Sequence, residues 1–231
     1  MTDDPQIQSL FDRIAPVYDR LNDRLSFGMH RVWKQMAIQW CNVTAGDTCL
    51  DLCCGSGDLA LQLAERAGSR GQVYAVDFSA QLLAIGRQRC ADRHRPLPIE
   101  WIEADALQLP FADNTFDAAT MGYGLRNLTD IPQGLRELRR VLKPNASAAI
   151  LDFHRPQSSI MRSFQQWYLD NWVVPTATEL GFTEEYAYLS PSLDRFPHGR
   201  EQVAIAHSVG FNSATHYSIA GGMMGVLVVA K

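Results

Sequence analysis

The decapeptide DLCCGSGDLA at residues 51–60 restricts the fold of this chain more than any other stretch. It closes an apolar run with an acid, sets Gly55 and Gly57 one residue apart, and passes directly into a helical apolar pattern. Glycines in such a turn let the backbone adopt positive φ and approach a ligand closely. Strand, glycine turn and helix in that order form the first half of a βαβ unit. Residues 48–53 read as a buried strand and 59–66 as a helix, followed by a strand over 72–76 and a helix over 79–92 capped by Ser79. Further strands are expected at 99–103, 116–121 and 148–153, with a helix over 131–142 that stops before Lys143, Pro144 and Asn145. This alternation predicts an α/β, Rossmann-like core: a mainly parallel sheet with helices on both faces.

The two ends depart from that rhythm. Leu10, Phe11, Ile14, Val17, Tyr18, Leu21 and Leu25 recur at helical spacing, with Pro16 as a break or kink. A second helix over 30–41 carries Val32, Trp33, Met36, Ala37 and Trp40 on one face. Toward the C-terminus, 158–174 reads as an aromatic-rich helix and 201–209 as another, ended by Gly210. Strands at 212–217 and 223–230 close the chain as an antiparallel hairpin at a sheet edge, giving seven strands in all. With 231 residues, one domain is expected: an N-terminal helical cap over 1–45 and a Rossmann-like core over 46–231.

Composition narrows the partners. A formal charge of −4 argues against nucleic acid, and the basic group Arg136, Arg139, Arg140 and Lys143 reads as the polar face and C-terminal end of a helix. No apolar run reaches about 18 residues, and the N-terminus lacks a signal-peptide layout, so neither a membrane span nor export is expected. Five cysteines in no framework spacing read as reduced thiols in a cytoplasmic protein. Cys53 and Cys54 lack zinc-site spacing, so no metal is expected.

The glycine turn alone leaves two cofactors open, because Gly55-x-Gly57-x-x-Ala60 also satisfies a dinucleotide fingerprint. Acids at the strand ends distinguish them. Asp51 would repel a diphosphate but welcome the ammonium of a methionine moiety. Asp77 ends the second strand, where a carboxylate takes both hydroxyls of a ribose. Asp105 and Ala106 follow the third strand, where an acid and a backbone N–H suit an adenine edge. Each residue alone has a plainer reading, as a turn, a helix cap or a solvated loop acid. All three fall at the carboxyl ends of strands, where open α/β sheets bind ligands. Together they point to S-adenosylmethionine.

The blocks FDRIAPVYDRLNDRLSFGMHRVWK (residues 11–34), LPFADNTFDAATMGYGLRNLTD (109–130), RVLKP (140–144) and YLSPSLDRFP (188–197) resemble the ubiquinone/menaquinone biosynthesis C-methyltransferases, over nearly the whole chain. ATMGYGLRN, ILDFHRP and the ending IAGGMMGVLVVAK look like the branch of cyanobacteria and plants that makes phylloquinone. The resemblance implies a class I methyltransferase fold and ring methylation of a reduced prenylated naphthoquinol, demethylphylloquinol. It also implies cofactor contacts from the loop of Asp51, Gly55, Ser56 and Gly57, from Asp77 and Phe78, from Asp105 and Ala106, and from Gly122. Demethylmenaquinol, or a quinone-binding role without catalysis, are the alternatives.

An electrophilic sulfonium methyl needs a carbon nucleophile, which the quinol form of the ring supplies once a hydroxyl is deprotonated. Arg126 and Asn127, just past the fourth strand, are candidates to stabilise the oxyanion. Arg126 could instead pair with Asp130 at i, i+4 spacing. His154 has an ordinary pKa suited to general base work, and Tyr123 could stack on the ring. Phe27, Met29, Trp33, Phe164, Trp167, Tyr168 and Trp172 either line a groove for the tail or pack in the core. Reaching a lipid quinol without a spanning helix implies peripheral contact with a thylakoid or plasma membrane. The sequence sets no oligomeric state.

Overall fold

The computed structural model describes residues 28–179 and 189–231, together with residues 13, 23 and 26. The kinked amphipathic stretch expected near Pro16 lies almost wholly outside the described residues, as do Phe27 and the first residue of YLSPSLDRFP. Helix α1 (Met29–Trp40) leads into β1 (Thr48–Leu52), α2 (Asp58–Ala67), β2 (Gln72–Asp77), α3 (Ala80–Ala91), β3 (Ile99–Glu103) and β4 (Phe116–Gly122). Next come α4 (Ile131–Val141), β5 (Leu142–Phe153), α5 (Ser159–Tyr168), a π-turn (Leu169–Val173) and α6 (Val174–Glu179). The chain ends with α7 (Leu189–Arg195), α8 (Gly199–Ser208), β6 (Ser213–Ile219) and β7 (Met224–Ala230).

The strands form one sheet of order β3-β2-β1-β4-β5-β7-β6. β1 to β5 run parallel, whereas β7 is antiparallel to both β5 and β6. The hairpin expected at the edge is therefore present, but its second strand lies inside the sheet. Residue type explains the order: MGVLVVA is an apolar run that tolerates burial on both faces, while SATHYSI is polar enough for an edge. The expected helix over 158–174 is also modified, because the π-turn interrupts it. Helix α4 stops at Val141 and β5 begins at once.

Period-two alternation divides the core between the two faces. Leu50 and Leu52 of β1 meet Phe116, Leu135, Leu138, Ile150 and Leu227 on one side. Cys49 meets Leu59, Leu63, Val73, Leu151 and Val226 on the other, under α1 and α2. Helix α4 buries Leu135, Leu138 and Val141 and is capped by Asp130, whose carboxylate accepts from the Gln133 N–H at 2.8 Å. Ser79 caps α3 as expected, accepting from Leu82 N–H at 3.1 Å.

The sequence order reverses between β1 and β4, so the loops at their carboxyl ends diverge and open a crevice. Trp101 sets the width of this region by wedging against two helices: a Cβ at Gly57 or Gly86 would lie 2.3 Å from its ring. Gly86 sits in the middle of α3, where alanine normally gains about 1 kcal/mol. Here Gly86→Ala should instead cost about 1–3 kcal/mol in denaturant unfolding, from overpacking. The double variant Gly86→Ala/Trp101→Leu should be no less stable than Trp101→Leu alone.

Candidate active site

Asp51 is the last but one residue of β1 and is completely buried. Its register partner on β4 is Thr120, whose hydroxyl donates to Asp51 Oδ1 at 2.8 Å. Asp51 Oδ2 is buried and has no hydrogen-bond partner among the described residues. Burial pushes the carboxyl up to about 7, against the opposing pull of the Thr120 hydroxyl and the charge of Lys34. An unsatisfied buried carboxylate oxygen is costly and marks a place for a cationic donor. An ammonium against Oδ2 would satisfy it and hold the group ionised.

Asp77 ends β2 and is locked by backbone donors. Its Oδ2 accepts from Gly55 N–H at 2.8 Å and its Oδ1 from Ser79 N–H at 2.9 Å. The half-buried Phe78 follows directly. Asp105 accepts from Leu107 N–H at 2.8 Å beside the buried Ala106, past the end of β3. Gly55 and Gly57 both have positive φ, and Ser56 between them is buried. Arg89 of α3 pins this loop, donating to the Ser56 carbonyl at 2.9 Å, to its hydroxyl at 3.1 Å, and to Asp58. Gly122 ends β4 against Leu59, so the loops from β1, β2, β3 and β4 all border one crevice.

The GLRN segment forms a 3-10 turn over Leu125–Asn127. Tyr123, just before it, has φ +63°, a left-handed conformation that a bulky residue adopts only where the surroundings enforce it. Gly124 is required by close approach: a Cβ there would fall 2.5 Å from Cys53 Cβ. The turn thus rests directly on the β1 loop. Asn127 Nδ2 donates to the Tyr123 carbonyl at 3.1 Å, which orients the amide, and leaves the buried Oδ1 without a partner among the described residues. Tyr123 packs on Phe153 with ring centroids 5.2 Å apart.

Arg126 is paired, but with Asp152 of β5 rather than Asp130, which is occupied as a helix cap. Its backbone N–H and Nη1 both reach the Asp152 carboxylate, and Nε donates to Ser192 of α7 at 3.1 Å. Burial raises the Asp152 carboxyl, opposed by the Arg126 charge. Both side chains are almost completely buried, so the guanidinium is held in one pose.

His154 stands apart from this cluster. It is buried between β5 and α8, with Nε2 3.1 Å from His216 Nε2 and 3.4 Å from Gln202 Nε2. Burial, with His216 next, pushes its imidazole down to about 3. It is therefore an uncharged, hydrogen-bonded ring near neutral pH and a much weaker base than its place at the end of β5 suggests. Met29, Phe164, Trp167 and Trp172 are exposed, which removes them from the core.

Sequence reasoning missed Lys34, Asp58, Arg89 and Asp152. Lys34 is a buried lysine on α1 whose ammonium donates to Asp58 Oδ2 at 2.7 Å and lies 5.7 Å from the Tyr123 ring centroid. Burial would raise the Asp58 carboxyl, but Lys34 and Arg89 override it and hold it well below the usual range. The available signal was a lysine interrupting the Trp33, Met36 and Ala37 pattern. Among the described residues no group of three His, Cys, Asp or Glu is arranged to hold a metal ion.

A seven-stranded sheet with one reversed strand, and acids at the tips of β1 and β2 around a glycine turn, define the class I methyltransferase fold. Solved structures agree at the level of fold. A methyltransferase from Aquifex aeolicus is 19% identical with a TM-score of 0.62, covering 85% of this chain and 88% of that one. Haemonchus contortus phosphoethanolamine N-methyltransferase 2, solved with S-adenosyl-L-methionine, is 15% identical with a TM-score of 0.65, covering 87% of this chain and 52% of that one. The chain belongs to the ubiE/COQ5 methyltransferase family, whose model matches residues 1–231. It is 68% identical to a Trichormus variabilis protein named 2-phytyl-1,4-naphtoquinone methyltransferase, over 98% of this chain and 99% of that protein. It is 50% identical to the Arabidopsis thaliana chloroplastic 2-phytyl-1,4-beta-naphthoquinone methyltransferase, over 96% of this chain and 86% of that protein.

The raised Asp51 carboxyl yields a stability prediction. The folded chain keeps this proton up to about pH 7, while an unfolded aspartate loses it near about pH 4. Stability of the ligand-free protein therefore falls as pH rises through that window. Asp51→Asn should raise the melting temperature at pH 8, and the gain should shrink toward pH 4 in scanning calorimetry.

Proposed function

We propose that this enzyme uses S-adenosylmethionine to methylate a ring carbon of reduced 2-phytyl-1,4-naphthoquinol. The observation that carries the substrate is the 68% identity, over 98% of the chain, to a protein named for that reaction. Demethylmenaquinol presents the same ring, and the tail is what the assay below must separate.

Bound S-adenosylmethionine supplies an electrophilic methyl on a sulfonium. The residues present fit it. Asp51 Oδ2 would hold the ammonium, and the Asp77 carboxylate would take the ribose hydroxyls. Asp105 and the Ala106 N–H take the adenine edge, with Phe78 beside it. Gly55, Ser56, Gly57 and Gly122 let the backbone come close.

The chain's own chemistry is applied to the quinol. Arg126 is fixed by Asp152 and Ser192, and its positive charge stabilises the oxyanion that forms when the ring hydroxyl gives up its proton. Asn127 Oδ1, without a partner among the described residues, accepts from the second ring hydroxyl, which keeps its proton, and so positions the ring. Electron density moves onto the adjacent carbon, and the new carbon–carbon bond would form there as the bond from methyl to sulfur breaks, leaving a neutral thioether; the ring carbon then loses its proton to restore aromaticity, and the net one proton released passes to water. Tyr123 supports the ring face. His154, buried and hydrogen-bonded to His216, is not assigned the role of base.

No described helix is long and apolar enough to cross a membrane. A quinol with a phytyl tail lives in lipid, so the reading includes contact between the protein and a membrane surface.

Radiolabelled methyl transfer tests the proposal. Reduced 2-phytyl-1,4-naphthoquinone should be labelled, while the oxidised form and a benzoquinol should not. A multiprenyl naphthoquinol run alongside reads the tail preference. Arg126→Ala should lower kcat by about 100- to 1000-fold with S-adenosylmethionine affinity retained, the size expected for loss of an oxyanion donor. Equal labelling of oxidised and reduced ring, or wild-type turnover in Arg126→Ala, would contradict it.

A further inference from the structure

Helix α5 and the π-turn after it present an apolar stripe to solvent. Ile160 is 79% exposed, Phe164 46%, Trp167 58% and Trp172 39%. The opposite face buries Gln165, Leu169 and Val173. A regular α-helix starting at residue 160 returns to one face at 164, 167 and 171. The π-turn inserts one residue, so position 172 takes the place of 171 and Trp172 joins the stripe. The rings are contiguous: Phe164 lies 6.0 Å from Trp167 and 6.5 Å from Tyr168, centroid to centroid. An exposed stripe of this size on a folded protein marks a place of contact.

Charge beside the stripe indicates the partner. The chain carries −4 overall and would be repelled by an anionic surface. Next to α5, however, two adjoining clefts share Arg155 and His198; one also contains Arg162 and the other Arg200. Arg155 is neutralised by Asp194, its Nε donating at 2.8 Å. Arg162 and Arg200 are exposed and have no carboxylate partner among the described residues. Asp170, at the far end of the stripe, is engaged by Gln166 at 2.9 Å. Two indoles with a phenyl and an isoleucine, near guanidinium groups that have no carboxylate partner among the described residues (Arg162 Nε donates to the Pro156 carbonyl at 3.3 Å), match a lipid interface: amphipathic rings sit at headgroup level and arginines meet phosphates.

We infer that this face docks on an anionic bilayer: Ile160, Phe164, Trp167 and Trp172 enter the interface, and Arg162 and Arg200 meet the headgroups. The inference rests on the proposed lipid-dissolved substrate for its purpose, and on exposure and charge for its location. Docking this helix brings the site bordered by β5 and α7 to the surface where such a substrate resides.

Flotation of the full chain with phosphatidylcholine vesicles, with and without phosphatidylglycerol, tests it. Wild type should float best with phosphatidylglycerol, and less as salt is raised. Phe164→Ser/Trp167→Ser should lose about tenfold or more of its partitioning to both vesicles. Arg162→Glu/Arg200→Glu should lose about tenfold for phosphatidylglycerol vesicles only. Both variants should methylate a short-tailed, soluble naphthoquinol at the wild-type rate, which shows that fold and site are intact. Wild-type partitioning by either variant, or no vesicle binding by the wild type, would overturn the inference and leave the stripe to a protein partner. Absence of methyl transfer by the wild type to the soluble quinol would instead overturn the proposed reaction and leave the docking result standing.

Discussion

The site is organised around a carboxylate buried where charge is expensive. Asp51 sits inside the sheet with one oxygen satisfied by Thr120 and the other by nothing among the described residues. A lone buried charge costs several kcal/mol unless a partner arrives. The folded chain tolerates it by holding the proton to about pH 7. The same feature decides between the two cofactors that a glycine turn allows. A diphosphate would bring negative charge against this group, and an ammonium neutralises it.

The remaining parts of the site hold loops in position around that point. Arg89 fixes the Ser56 turn, and Lys34 joins α1 to the same loop through Asp58. Gly124 lets the β4 turn rest on Cys53, so the segment bearing Arg126 and Asn127 is positioned by the glycine loop itself. Asp152 then locks Arg126 from β5. Among the described residues, two buried oxygens at this crevice lack partners, Asp51 Oδ2 and Asn127 Oδ1. One belongs to the glycine loop and the other to the turn beside it, as the proposed reaction between two bound molecules requires.

Much of this was legible in the sequence. The apolar runs ending in Asp51 and Asp77, and the glycines between β1 and α2, already marked the strand tips, because strand ends and turns are set by local chemistry. The hairpin was legible as two strands, but the insertion of β7 between β5 and β6 depends on pairing across the whole sheet. Long-range charge pairs were equally hidden. Arg126 finds Asp152 across 26 positions rather than Asp130 across four, because Asp130 is already the cap of α4. Lys34 finds Asp58 across 24 positions. His154 looked like a base because its burial against His216, 62 positions away, has no signature in the chain. The aromatic run after β5 could not be told from core until its exposure was seen.

The central claim is that Asp51 is the seat of the cofactor's ammonium, and proton linkage measures it most directly. Calorimetric titration with S-adenosylmethionine at pH 6, in buffers of different ionisation enthalpy, counts the protons released on binding. With the ligand-free carboxyl at about 7 and the bound one ionised, binding should release about one proton, and Asp51→Asn should release none and bind far more weakly. Binding by the wild type without proton release, or wild-type affinity in Asp51→Asn, would contradict the account.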